Sequence, residues 1–261
     1  MTDPAALQKL LTWMSPAFPV GAFAWSAGLE SVIADRTVSD STALRNWLEG
    51  ALTHGGLKTD AILLAAAWKI ERASPPSPSL PARGRVSASE LVHDRAANSL
   101  DTSPLGGEDA VTPTLSTLAD IADLAIALTP ARERQQETTI TGDSFALALK
   151  AWPAELTEPL PSPCPYPIAV GAIAAAHGID LADTLLAFLT TAVHGQISVA
   201  VRLVPLGQTD GLQVMAGLEP QIAALAASAA RASLAEIGGI AYATDIAQMR
   251  HETLEPRIFR S

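Results

Sequence analysis

Five histidines, one cysteine and one serine in a turn-like setting are the residues whose types could do chemistry, and their spacing decides which chemistry. His54, His93, His177, His194 and His251 include no pair at i, i+3 or i+4, so no helix face carries two imidazoles in the way zinc-type sites require. His251-Glu252 begins like a zincin helix but has no second histidine to complete it. An isolated histidine on an apolar helix, such as His177 or His194, reads as a hydrogen-bonded core or cap residue. Cys164 stands between two prolines; a nickel or redox thiol is one reading, and the small buried hydrophobe that a lone cysteine usually makes is the stronger one. Ala24-Trp25-Ser26-Ala27-Gly28 is the nearest approach to a nucleophile elbow, yet its first glycine and a preceding apolar strand are missing, so Ser26 is expected on an ordinary helix. No Gly-Lys pair exists, which excludes a G-x-x-x-x-G-K-[ST] phosphate loop. Spacing alone names no catalytic, cofactor or metal site.

The elements that would position any such group read as helices. The 261 residues are 48% hydrophobic and 17% charged, enough to bury a core and far from the composition of a disordered chain. Aromatics are only 5% and alanine is abundant, which favours helices packed through small side chains over sheets. A net charge of −10 argues against nucleic acid or an anionic membrane as partner. Ile168 to Ala176 is too short for a membrane span, and Leu185 to Val201 is interrupted by His194 and Gln196, where about 20 apolar residues are needed. Met1-Thr2-Asp3-Pro4 lacks the basic start of a signal peptide, and a single cysteine suits a reducing compartment, so the expected location is the cytoplasm.

Leu44, Trp47, Leu48, Ala51 and Leu52 fall on one helical face, with Ser39 or Asp40 as N-cap; Leu57, Ala61, Leu64, Ala65 and Trp68 repeat the pattern after the Gly55-Gly56 turn. Thr129-Pro130 reads as the start of a helix running to about Ala151, stopped by Pro153, whose first half from Arg132 to Thr139 is almost entirely polar. Ile168 to His177 ends at Gly178, Asp180 caps the next apolar helix, and a further helix covers roughly Gln208 to Ala232. Residues 74–114 are rich in Ser and Pro and read as a flexible insertion within one domain spanning 1–261. Residues 153–167 carry a proline at six positions and read as an extended strap holding Cys164. The prediction is an all-α, single-domain bundle of roughly eight to ten helices.

Two segments are not accounted for by packing alone. Ser15 to Ser26 (SPAFPVGAFAWS) is a rigid Pro/Gly stretch set with aromatics, either a turn between helices or an anchor for a partner. Met249 to Ser261 (MRHETLEPRIFRS) places Ile258 and Phe259 between Arg257 and Arg260, a composition found at binding hot spots.

With these segments in view the sequence resembles the UreF family of urease accessory proteins. Four stretches carry the likeness in the family's order: SPAFPVGAFAWSAGLE at Ser15 to Glu30, PYPIAVGAIAAAHG at Pro165 to Gly178, AVRLVPLGQTDG at Ala200 to Gly211, and MRHETLEPRIFRS at the end, together with the polar helix around Arg132 to Gln136. Ala22 and Trp25 depart from the glycine and tyrosine most often found there, and the Ser/Pro stretch is longer than usual.

The resemblance implies an all-helical, non-catalytic protein working as a homodimer, and no cofactor is expected. It implies binding to UreD (also called UreH) and to the GTPase UreG, in an assembly that uses GTP hydrolysis to load nickel into apo-urease. By the family match Arg250, His251, Glu252, Arg257, Phe259 and Arg260 belong to the tail that engages UreD. The accompanying expectation is that the tail orders on binding, burying Ile258 and Phe259 while Arg257 and Arg260 meet acceptors on the partner. Arg202 and Gln208 fall near the dimer or GTPase surface by the same match; the alternative for Arg202 is a side chain that snorkels from a buried helix to a carboxylate. Two other readings stand beside the scaffold: a helical nickel carrier using His54, His177, His194, His251 or Cys164, and a hydrolase centred on Ser26.

Overall fold

The computed structural model describes residues 3–73, 115–239 and 241–261, and among these the ordered elements are all helical. The expected insertion at 74–114, with His93 inside it, lies outside the described residues. Ten α-helices follow in chain order among the described residues: α1 Pro4–Trp13, α2 Leu29–Ala34, α3 Ser41–His54, α4 Gly56–Ala73, α5 Leu118–Ala127, α6 Arg132–Ala148, α7 Tyr166–Ala176, α8 Leu181–Leu203, α9 Gln208–Arg231 and α10 Tyr242–His251.

Local chemistry sets these boundaries. Asp40 accepts the Ala43 N–H at 2.8 Å to start α3, and Asp180 accepts from Ala182 at 2.8 Å to start α8. Gly55 ends α3, and Gly178 at φ +69° lets the chain turn between α7 and α8. The Thr129-Pro130 expectation is corrected: α6 begins at Arg132 with Ala131 as its N-cap. The Thr129 hydroxyl instead donates to Ala125 at 2.9 Å and closes α5, a helix that ends just before the proline. Ser26 is also corrected, since it sits in the turn before α2 rather than on a helix.

Helix α4 is the central element, packed on α3, α5, α7, α8 and α9. Its closest neighbour is α7, nine of whose eleven residues are buried. The two backbones approach at Gly171, where a Cβ would collide with the Leu64 carbonyl oxygen. Helix α8 is long and apolar enough to cross a membrane by length and composition alone, despite His194 and Gln196. Here it packs on α9, α4 and α2 and puts Leu185, Phe188, Leu189 and Val193 into the core. The proline strap is held from three sides: Glu71 accepts the Thr157 N–H at 2.9 Å and its hydroxyl at 2.8 Å, Glu158 accepts Leu118 N–H at 2.6 Å, and Asp143 accepts Cys164 N–H at 3.0 Å.

Candidate functional site

Helices α2, α6 and α10 converge on the last residues of the chain. Glu30, in the first turn of α2, and Glu133, in the first turn of α6, are both buried and both turned toward the tail. His251, at the end of α10 and wholly buried, lies between them: Nδ1 is 2.7 Å from Glu133 Oε2, and Nε2 is 3.0 Å from Glu30 Oε2. Arg257 donates to the other oxygen of Glu133 at 2.5 Å. The second oxygen of Glu30 accepts the Ile258 N–H at 2.7 Å, while its Oε2 also accepts Phe259 N–H at 2.9 Å. Two buried carboxylates are therefore saturated by groups from a single terminal segment, as buried charge requires.

The segment itself bends at Ile258 and Phe259, where two successive N–H groups meet the one Glu30 carboxylate, and then runs against residues 24–26. Arg260 N–H donates to the Ala24 carbonyl at 2.8 Å, and the Ser261 carbonyl accepts the Ser26 N–H at 2.6 Å and the Ser26 hydroxyl as well. Ser26 Oγ also accepts the Glu30 N–H at 3.3 Å, so the serine is occupied as a junction between tail and α2. Phe259 and Ser261 are buried, while Ile258 is 78% exposed and Arg260 faces outward, its guanidinium 4.7 Å from the Trp25 ring centroid. Phe23, 70% exposed, belongs to the short 3-10 turn beside it.

Electrostatics follow from this packing. Burial pushes the Glu30 carboxyl up, but the hydrogen bonds from His251 and from the Ile258 and Phe259 amides, with the charge of His251, outweigh it and hold the group below its ordinary value. Beneath the tail, Arg134 bridges Asp60 at 2.5 Å and Glu137 at 3.5 Å, and Ser261 Oγ donates to Glu137 at 3.3 Å. Burial raises both carboxyls above their usual range in spite of the guanidinium they share.

The residues singled out from sequence are mostly brought together here. His251, Arg257, Phe259 and Arg260 are in the seat; Glu252 accepts the Arg132 N–H at 2.8 Å, and Arg250, 70% exposed, stands 3.8 Å from Asp35. Arg202 reaches the same place from the end of α8, its guanidinium 5.8 Å from the Phe259 ring centroid and within 3.4 Å of Ser198 Oγ, not a carboxylate. Gln208, exposed at the start of α9, is in none of these contacts among the described residues. Within this chain Phe259 is already buried and Arg257 already paired, whereas the sequence expectation gave both to a partner. Glu30 and Glu133, the two acceptors that hold the tail, were not singled out; the signal available was the unusually polar start of α6 and the carboxylate closing the Ser15 to Glu30 stretch.

The remaining chemistry-bearing residues are dispersed. His177 is bound to Lys9 Nζ at 3.1 Å and to the Trp152 carbonyl at 3.2 Å, with burial and the lysine charge lowering its proton affinity. His54 and His194 are exposed on α3 and α8. Burial, aided by the Asp143 charge, pushes the Cys164 thiol up to about 12, so it is no ready thiolate. Among the described residues no three His, Cys, Asp or Glu side chains form a metal-holding group.

The fold and site define an all-helical protein whose terminal segment is an integral, two-faced part of its own body. The UreF family profile matches residues 38–219, well over half the chain. The chain is 40% identical over 256 residues to the urease accessory protein UreF of Rhizobium etli, covering 98% of this chain and 96% of that protein. It is 38% identical over 257 residues to the UreF of Agrobacterium fabrum, covering 98% and 97%. Against the UreF of Rhodopseudomonas palustris strain BisA53 it is 40% identical over 262 residues, covering 98% and 94%. The chain belongs to the UreF family of urease accessory proteins.

Proposed function

We propose that this chain is a non-catalytic, cytoplasmic scaffold for urease maturation, acting as a homodimer that joins UreD to the GTPase UreG while nickel is loaded into apo-urease. Family membership supports the process, since its relatives are named urease accessory proteins. The observation that carries the assignment of the tail is which residues it covers: Phe259 and Ser261 are buried, while Ile258 and Arg260 stay on the outer face, and Phe23, next to the Ala24 that accepts the Arg260 N–H, is exposed as well. An exposed isoleucine and phenylalanine flanked by arginines have the composition of a protein-binding hot spot. UreD meets that outer face; Arg250 and Glu252 border it, and His251, Arg257 and Phe259 hold it in shape. Arg202 serves the same surface through Phe259, and Gln208 is the residue left for the dimer or GTPase face.

The test is co-expression with the UreD of the same source, followed by pull-down and circular dichroism. Ending the chain at Met249 removes His251 and strands Glu30 and Glu133, so the decisive variant is Ile258→Asp, which leaves the seat intact. The full chain should retain UreD and Ile258→Asp should lose it at unchanged helicity. Failure of the full chain to retain UreD overturns the reading.

A further inference from the structure

Four arginines surround the seated tail, and two of them are already placed against carboxylates of this chain. Arg257 is committed to buried Glu133 at 2.5 Å, and Arg250 stands 3.8 Å from Asp35. Arg202 and Arg260 form no ion pair among the described residues, and each lies over an aromatic ring instead. The Arg202 guanidinium is 5.8 Å from the Phe259 ring centroid, and that of Arg260 is 4.7 Å from the Trp25 centroid. Both rings are buried while both arginines are exposed, so each guanidinium covers the outer side of a ring and keeps its other side toward solvent. The two stacks share one backbone contact: the Arg260 N–H donates to the Ala24 carbonyl at 2.8 Å, with Trp25 next to Ala24 and Phe259 next to Arg260.

That arrangement narrows what the pair recognises. A planar fork of N–H donors held on a ring is shaped for two parallel bonds to a carboxylate or a phosphate. Ile258 and Phe23, both exposed and both within two residues of the shared contact, call for an apolar counterpart in the same place. Nucleic acid and anionic headgroups supply phosphate, but they meet Glu252 and Glu255, exposed on the same tail, and a chain of net charge −10. A second copy docked through the same face would set arginine against arginine, since a two-fold contact opposes a patch to itself. A protein face with an apolar centre and carboxylates at its edge suits every group.

We infer that Arg202 and Arg260 form a clamp for carboxylates on the partner protein that meets the tail, while Ile258 and Phe23 enter an apolar recess beside them. The clamp rests on the reading that UreD meets this face, and adds the chemistry of UreD's own side: acidic residues bordering an apolar hollow. Arg257 is outside it, because Glu133 already holds that guanidinium. Stacking on Phe259 and Trp25 pre-orients the two forks, so little side-chain freedom is lost when the carboxylates arrive.

The experiment is co-expression of the full chain with the UreD of the same source, followed by pull-down, for wild type and for the double variant Arg202→Glu/Arg260→Glu. Circular dichroism and amide exchange at Phe259 report whether the fold and the seated tail are kept. The clamp predicts that retention falls at least about tenfold in the double variant, and that wild-type retention weakens between about 0.05 M and about 0.5 M NaCl. Arg202→Lys/Arg260→Lys, which keeps the charge and loses the planar fork, should fall between the two. Equal retention of UreD by wild type and double variant, or wild-type retention indifferent to salt, overturns the clamp while the UreD reading stands. If wild type retains no UreD, both fall. Pelleting of wild type with phosphatidylglycerol vesicles, lost in the double variant, assigns the arginines to phosphate and overturns the clamp as well.

Discussion

Glu30 and His251 are 221 residues apart in the chain and 3.0 Å apart in the fold, one supplying a buried carboxylate oxygen and the other a buried imidazole nitrogen. That single contact ties α2 to α10, and with Glu133 on the far side of the ring it makes the end of the chain part of the core.

Replacing Glu30 with alanine should therefore do more than remove one charge. It leaves the Ile258 and Phe259 amides and one His251 nitrogen buried without an acceptor, a loss on the order of 3 kcal/mol. Chemical denaturation should show that loss, and amide exchange at Ile258 and Phe259 should accelerate sharply while α4 and α7 stay protected.

Acid should loosen the same contact. The Glu30 carboxyl is held below its ordinary value, so its contribution is complete above the usual carboxylate range and disappears as pH falls through the lower folded value. Limited proteolysis below pH 4 should cut first at the tail, and in Glu30→Gln this pH dependence should be absent.

Glu137 carries the opposite sign. Burial raises its folded value, so the ionised form destabilises the fold at neutral pH and the effect vanishes as pH falls toward the ordinary carboxylate range. Glu137→Gln should unfold at or above the wild-type Tm at pH 7.5, and the difference should shrink by pH 4.5.

The two central tail residues should separate stability from binding. Phe259→Ala empties a buried site and should cost about 3 kcal/mol in denaturant titration. Ile258→Ala, at a side chain 78% exposed, should change stability by less than about 0.5 kcal/mol yet weaken UreD retention in the pull-down.

Where helices meet through backbone contact, the substitution to make is at glycine. Gly142 on α6 has no room for a Cβ because the Cys164 carbonyl oxygen already occupies that position. Gly142→Ala should displace the proline strap and lower Tm by more than 5 °C, whereas alanine at Gly50, which meets nothing nearby, should not.

Apolar periodicity was enough to read α3, α4, α7, α8 and α9, because their buried faces repeat over several turns and glycine or aspartate marks their ends. The same pattern gives no bounds to α1, α2, α5 and α10, of which the first two are implied only by the turn at Ser15 to Ser26: none exceeds ten residues, and α10 buries Thr244, Gln248 and His251 along with Ala247, leaving little apolar stripe to detect. The polar half of α6 was visible as an anomaly, and its cause is now plain, since Glu133, Arg134 and Glu137 face buried partners from elsewhere in the chain. Such pairings leave no local pattern, because the residue that satisfies Glu133 lies 118 positions away. The tail was legible as composition only; which of its side chains turn inward is decided by hydrogen bonds to Glu30 and Ala24.

Seating the tail also orders events in time. Glu30 is translated 221 residues before His251, an interval on the order of ten to forty seconds at typical synthesis rates. Throughout that interval α2 carries a carboxylate whose native donors do not yet exist. The contact between α2 and the tail is thus a late, long-range step of folding. A chain that ends a dozen residues early lacks His251, Arg257, Ile258 and Phe259 together, and so leaves Glu30 and Glu133 without the donors that fill them.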